Sequence, residues 1–140
     1  MSTIERLRTA ISERDLDKLD ALFADDSRVY SPMKFSPFTD RAMINALFDV
    51  LITCVFDDFR YVGELHGTCE TVAGEEAPAH ILPFRASVGD RDVHGIDLVH
   101  LNDSGLIEEF TIMLRPRSAL NAVLERATAG LAAKAALPQQ

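Results

Sequence analysis

Along the chain, apolar side chains recur every three or four residues in some stretches and every second residue in others, and this alternation predicts the elements. Ser2-x-x-Glu5 forms a capping box ahead of Ile4, Leu7 and Ile11, so a first helix is expected over Thr3 to Glu13. Asp15 caps a second helix that turns Leu16, Leu19, Leu22 and Phe23 inward and ends at residues 24–26. Ser27 to Ser31 reads as a short strand that Pro32 stops, and Thr39 caps a helix from Asp40 to about Thr53. Its stripe is Met43, Ile44, Leu47, Phe48 and Leu51. Period two returns in Phe59 to His66 and in His80 to Val88, with residues 68–78 between them a ragged hairpin or an excursion. Pro116 opens a terminal helix with Leu120, Val123, Leu124 and Ala127 on one face. Gly130 is expected to end its ordered part, which gives one domain over residues 1–130 and a tail over 131–140.

The longest period-two stretch is Arg91 to Arg115, a hairpin whose turn ends in Gly105, a residue free to adopt positive φ. Val93, Gly95, Asp97, Val99 and Leu101 share one face, and His94, Ile96, Leu98 and His100 share the other. Asp97 is the lone carboxylate on an otherwise apolar face. Burial there penalises its charged form, so it requires a proton, a ligand or a partner. It reads as a protonated donor, as a general base, or as a structural acid bonded to a tyrosine or a backbone amide. The turn register puts Phe110 close to it across the strands, and no neighbour then stabilises a carboxylate.

Composition narrows the function classes. A formal charge of -8 opposes nucleic acid and anionic membranes, both of which require a basic footprint. Cys54 and Cys69 have no Cys-x-x-Cys spacing, and no signal-peptide order precedes them, so a reducing cytoplasm is expected. His94 and His100 share a strand face but stand ~20 Å apart and cannot hold one ion. No metal and no cofactor is predicted, since phosphate loops, nucleophile elbows and Cys/His pairs are absent from the sequence. Glu108 and Glu109 read as solvated or as facing a neighbouring subunit.

Helices, one short strand, a helix and a long antiparallel meander make an α+β order. With Asp15-Leu-Asp17, Leu22-Phe-Ala-Asp-Asp26, Ser31-Pro32, Gly95-Ile-Asp97 and Gly105-Leu-Ile107, the chain resembles the nuclear transport factor 2-like superfamily, in its SnoaL-like and ketosteroid-isomerase-like branch. The resemblance implies a cone-shaped, cystatin-like fold: a curved antiparallel sheet wrapped around N-terminal helices, a C-terminal helix, and an apolar pocket between them. Laid onto ketosteroid isomerases, the oxyanion-binding acid falls on Asp97, the general base on Ser31 and the first-helix tyrosine on Leu7. Only the first keeps its chemistry. The expectation is therefore a homodimer that binds a small, mostly apolar molecule, with any catalysis being cofactor-free acid/base chemistry of isomerase, cyclase or hydrolase type. Asp97 and Tyr30 would be the polar groups, and Met33, Phe35, Phe38, Phe84, Val99, Phe110 and Ile112 would contact the ligand. The alternative is a non-catalytic dimeric interaction domain. An epoxide hydrolase would need carboxylates and a cation around one water, which the sequence does not bring together.

Overall fold

The structure is a computed structural model, and it describes residues 1–136. Helix α1 spans Thr3–Glu13. Its capping box is reciprocal: Glu5 N–H donates to Ser2 Oγ at 3.1 Å and Ser2 N–H to Glu5 Oε2 at 2.7 Å. Ile4, Leu7 and Ala10 are buried, and Arg14, at φ 54, turns the chain out of the helix. Asp15 caps α2, which covers only Leu16–Asp20. The predicted helix was longer. Leu22 and Phe23 instead enter strand β1 (Phe23–Tyr30), where Leu22 C=O accepts from Ile107 N–H at 2.8 Å and Phe23 pairs with Ile107. Pairing with a distant strand overrides local periodicity here.

Helix α3, Arg41–Val50, is capped by Asp40, whose carboxylate accepts from Ala42 N–H at 2.9 Å, rather than by Thr39. A π-helical turn over Leu51–Val55 follows, a widening that no 3.6-residue pattern announces. The expected strand from Phe59 to His66 is two strands, β2 (Asp57–Tyr61) and β3 (Leu65–Glu70). Both pair in tandem with the long β4 (Glu76–Val88), so residues 68–78 form a hairpin. Strands β5 (Arg91–Leu101) and β6 (Ile107–Arg115) complete the antiparallel meander, with Gly105 at φ 81 in their turn. Strand β1 adds to β6 in parallel, and the order is β1-β6-β5-β4-β2 in a curved, unclosed sheet.

Helix α4 runs over Arg117–Ala136, past Gly130. A Cβ at Gly130 would lie 2.6 Å from Val50 Cγ1, so the missing side chain lets α4 lie against the end of α3. Ala119, Val123 and Ala127 are the buried stripe, with Leu120 and Leu124 only partly covered. Residues 137–140 of the expected tail lie outside the described residues. No helix among the described residues is long and apolar enough to cross a membrane.

The core lies between the helices and the concave face of the sheet, centred on Leu7, Leu47, Leu82, Phe84, Val99 and Phe110. On the opposite face the β3–β4 hairpin tip reaches across to β6. Val72 N–H meets both oxygens of Glu109 at 3.3–3.4 Å, and Arg28 bonds Glu109 at 3.0 Å. Glu109 is thus 2% exposed rather than solvated. His100 is buried beside it, with Nδ1 2.9 Å from Pro78 O.

Candidate functional site

Between the end of α1, the π-helical turn and the concave sheet lies a cavity of about 210 Å³. Ile11, Ser12 and Arg14 form its helical lip, Leu51, Ile52 and Phe56 its roof, and side chains from β2, β4, β5 and β6 its floor. Phe59 and Phe84 stack with centroids 4.7 Å apart, and Phe56 meets Phe84 edge-on at 5.8 Å. Phe84 lies directly over Gly95: a Cβ there would sit 2.1 Å from Phe84 Cζ. The ring fills the place a side chain would take, and the cavity opens beside it.

Asp97 is on the floor, 4% exposed. Its hydrogen-bond partner is Tyr61, whose hydroxyl donates to Oδ2 at 2.7 Å. Tyr61 pairs with Phe84, and Phe84 with Gly95, so the phenol lies two strands from Asp97 on the same face and spans the gap. Tyr61 is the one hydrogen-bond partner of Asp97 among the described residues, and Asp97 is part of the cavity lining. Burial pushes the Asp97 carboxyl up from 3.8 to about 7, and the Tyr61 hydrogen bond only partly offsets it. Burial and the neighbouring Asp97 carboxylate push the Tyr61 phenol well above its ordinary range, so Tyr61 stays a donor. Near neutrality Asp97 therefore interconverts between acid and base, beside a donor that does not titrate.

Of the residues singled out from sequence, Asp97, Phe84, Phe110 and Ile112 line this cavity. The others do not. Tyr30 is in register with Thr111, whose neighbour across β5 is Leu98, which puts it on the convex face. Met33 packs at the core margin with its N–H donated to Ser31 Oγ, and Phe35 is 97% exposed. Phe38 is buried against β1, with Lys34 Nζ 4.4 Å from its ring centroid. Val99 sits on the concave face, fully buried and away from the cavity. The neighbour of Asp97 on β6 is Ile112, because Leu101 pairs with Ile107 and the ladder shifts by one further residue at His100, which leaves Phe110 opposite Val99. Tyr61 was not anticipated. Phe59 and Tyr61, two apart in a predicted strand, already marked one aromatic face, but only the pairing of β2 with β4 aims it at Asp97.

Leu7 is buried in the core and Ser31 Oγ is held by the Met33 amide, both off the cavity. Asp58, an exposed residue at φ 51 where the β2 ladder shifts, also lines the cavity, as does Arg14. Among the described residues no three His, Cys, Asp or Glu side chains gather as a metal site.

The SnoaL-like domain family model matches residues 4–110. The chain belongs to the SnoaL-like domain family. A steroid delta-isomerase from Pseudomonas aeruginosa is 32% identical to this SnoaL-like domain, with a TM-score of 0.80, over 96% of this chain and 93% of that one. An uncharacterised protein with a cystatin-like fold from Silicibacter pomeroyi is 29% identical, with a TM-score of 0.78, over 91% and 83% of the two chains. The Orange Carotenoid Protein of Anabaena shares the fold at 18% identity and a TM-score of 0.61, over 85% of this chain and 38% of its own. No curated protein matches the chain.

Proposed function

We propose that this SnoaL-like domain binds a small, mostly apolar carbonyl compound and performs cofactor-free acid/base chemistry on it, of isomerase, cyclase or hydrolase type. The observation that carries the reading is the buried Asp97, bonded to Tyr61 and lining an aromatic cavity. A carbonyl oxygen placed against Oδ1 would accept the Asp97 proton as negative charge develops on it, and Tyr61 would then stabilise the carboxylate left behind. The name of the Pseudomonas aeruginosa relative suggests a steroid. Ser31 and Leu7, both off the cavity, supply neither a base nor a second donor, and this favours a different reaction. A thermal-shift series with cyclic and aryl ketones tests the reading. A ligand at a hundred times its Kd adds about 2.7 kcal/mol, so ketones should raise the Tm of the wild type and leave Asp97→Asn nearly unmoved. A flat series in both proteins would refute it.

A second reading, a non-catalytic interaction domain, is favoured by the cavity's size, which is below the roughly 300 Å³ at which ligand sites usually begin. Both readings include a homodimer through the convex face. Leu65, Ile81 and Leu98 are in register there, flanked by Ile96 and Met113, with Leu65 59% and Met113 48% exposed. Sedimentation showing only a 15.5 kDa species would remove the dimer. The exposed, unpaired Cys54 and Cys69 support a cytoplasmic setting.

A further inference from the structure

The roof of the cavity is built on the π-helical turn that follows α3. Leu51 and Ile52 line the cavity from the start of that turn, and Phe56 lines it from the residue that ends the turn. In an α-helix residues five apart point about 140° away from each other, so Leu51 and Phe56 would not both face one cavity. Here Phe56 N–H donates to Leu51 C=O at 3.1 Å, the i→i+5 bond of a π turn, and the wider turn brings both side chains over the same space. The ring of Phe56 is then held in place, with its centroid 5.6 Å from that of Phe59 and 5.8 Å from that of Phe84. Leu51 and Phe56 are each 8% exposed, so the roof is part of the core rather than a loose flap.

The space under this roof is about 210 Å³. A dry apolar cavity of about 150 Å³ takes one benzene, roughly 25 Å³ per heavy atom, which leaves room here for about eight heavy atoms. That is one ring with a carbonyl substituent. The walls suit a flat ring, because Phe59 and Phe84 lie at 32° to each other and Phe56 stands at 68° to Phe84. We infer that the ligand is a single-ring ketone, aryl or cyclic, and that the roof of Leu51, Ile52 and Phe56 sets this upper size. The inference rests on the proposed cavity reading and narrows it. The carbonyl oxygen lies against Asp97, the ring lies under Phe56, and a second fused ring meets the roof, as does a steroid nucleus.

The test is calorimetric titration of acetophenone and 2-acetylnaphthalene near neutral pH. On an open apolar surface the larger ketone would bind more tightly, because it buries more apolar area. The wild type should instead bind acetophenone about tenfold or more tightly. Phe56→Ala should reverse the order by opening the roof. Ile52→Ala, a milder change at a half-buried position, should narrow the gap to about threefold or less. Where Phe56→Ala does not fold, Ile52→Ala alone decides. A wild type that prefers the larger ketone, or a preference that the folded variants keep in full, overturns the size limit. Ketones that bind without regard to size and are weakened by Asp97→Asn overturn the limit while keeping the cavity reading. Failure of both ketones to bind overturns the two together.

Discussion

Replacing Asp97 by Asn separates a pocket acid from a structural carboxylate. The carboxyl is pushed from 3.8 to about 7 in the folded protein, so between those values the native state holds a proton that the unfolded chain has released. Its contribution to stability is fully present below the unfolded pKa, falls as pH rises through the interval, and is lost above the folded pKa. At about 1.36 kcal/mol per unit the whole change is roughly 4 kcal/mol, because the group is buried and water does not screen it. Asn keeps an oxygen for the Tyr61 hydroxyl and does not titrate. The unfolding free energies of the two proteins, from urea titrations at intervals between about pH 4 and 8, should be close at the acid end. They should diverge in favour of Asp97→Asn by up to that amount near the alkaline end. Taking the difference cancels groups common to both, including His80, which burial holds below its ordinary range. A variant that is less stable than wild type near neutrality would show that Asp97 is ionised and paired in the native state, and the pocket-acid argument would fail.

Tyr61→Phe removes the bond that favours the charged carboxylate, so the midpoint of the Asp97 titration, followed by carboxyl NMR, should move further up; a downward shift would contradict the 2.7 Å contact. Gly95→Ala forces Phe84 off its seat and should cost about 1–3 kcal/mol in chemical denaturation while weakening ketone binding. Neutral behaviour would mean that the ring and the backbone are further apart. Turnover of a 5-ene-3-ketosteroid should be undetectable, since a missing general base alone forfeits about 10²- to 10⁴-fold. Robust isomerisation would place a base in the cavity that neither Ser31 nor Leu7 supplies.

What could be read from the sequence was local. The capping box of Ser2 and Glu5, the Ile44, Leu47 and Phe48 part of the α3 stripe and the alternation of β5 all depend on residues a few positions apart, and each appears in the structure, whereas Met43 of that stripe is exposed and Leu51 falls in the π-helical turn. Asp97 stood out for the same reason, as one acid among apolar neighbours on one face. Its partner did not, because Tyr61 lies 36 residues away and meets it only once β2 has added to β4. A register two residues away from the expected one, half of it arising at the turn and half at the irregularity after His100, was enough to replace Phe110 by Ile112 as its neighbour. Glu109 illustrates the same limit from the polar side. A glutamate near a turn reads as solvated until a hairpin from elsewhere covers it and Arg28 neutralises it.

The loop after β1 has a further effect at the rim of the sheet. Phe38 returns to β1 and exchanges two backbone hydrogen bonds with Val29, at 3.0 and 2.8 Å. That occupies the donor and acceptor in the middle of what would be an open strand, in a loop that Pro32 and Pro37 keep from extending the ladder. At the other margin β2 and β3 are short and interrupted. Neither border offers a long, flat row of free amides for another chain to add to, so the fold resists edge-to-edge aggregation, and association is directed to the faces.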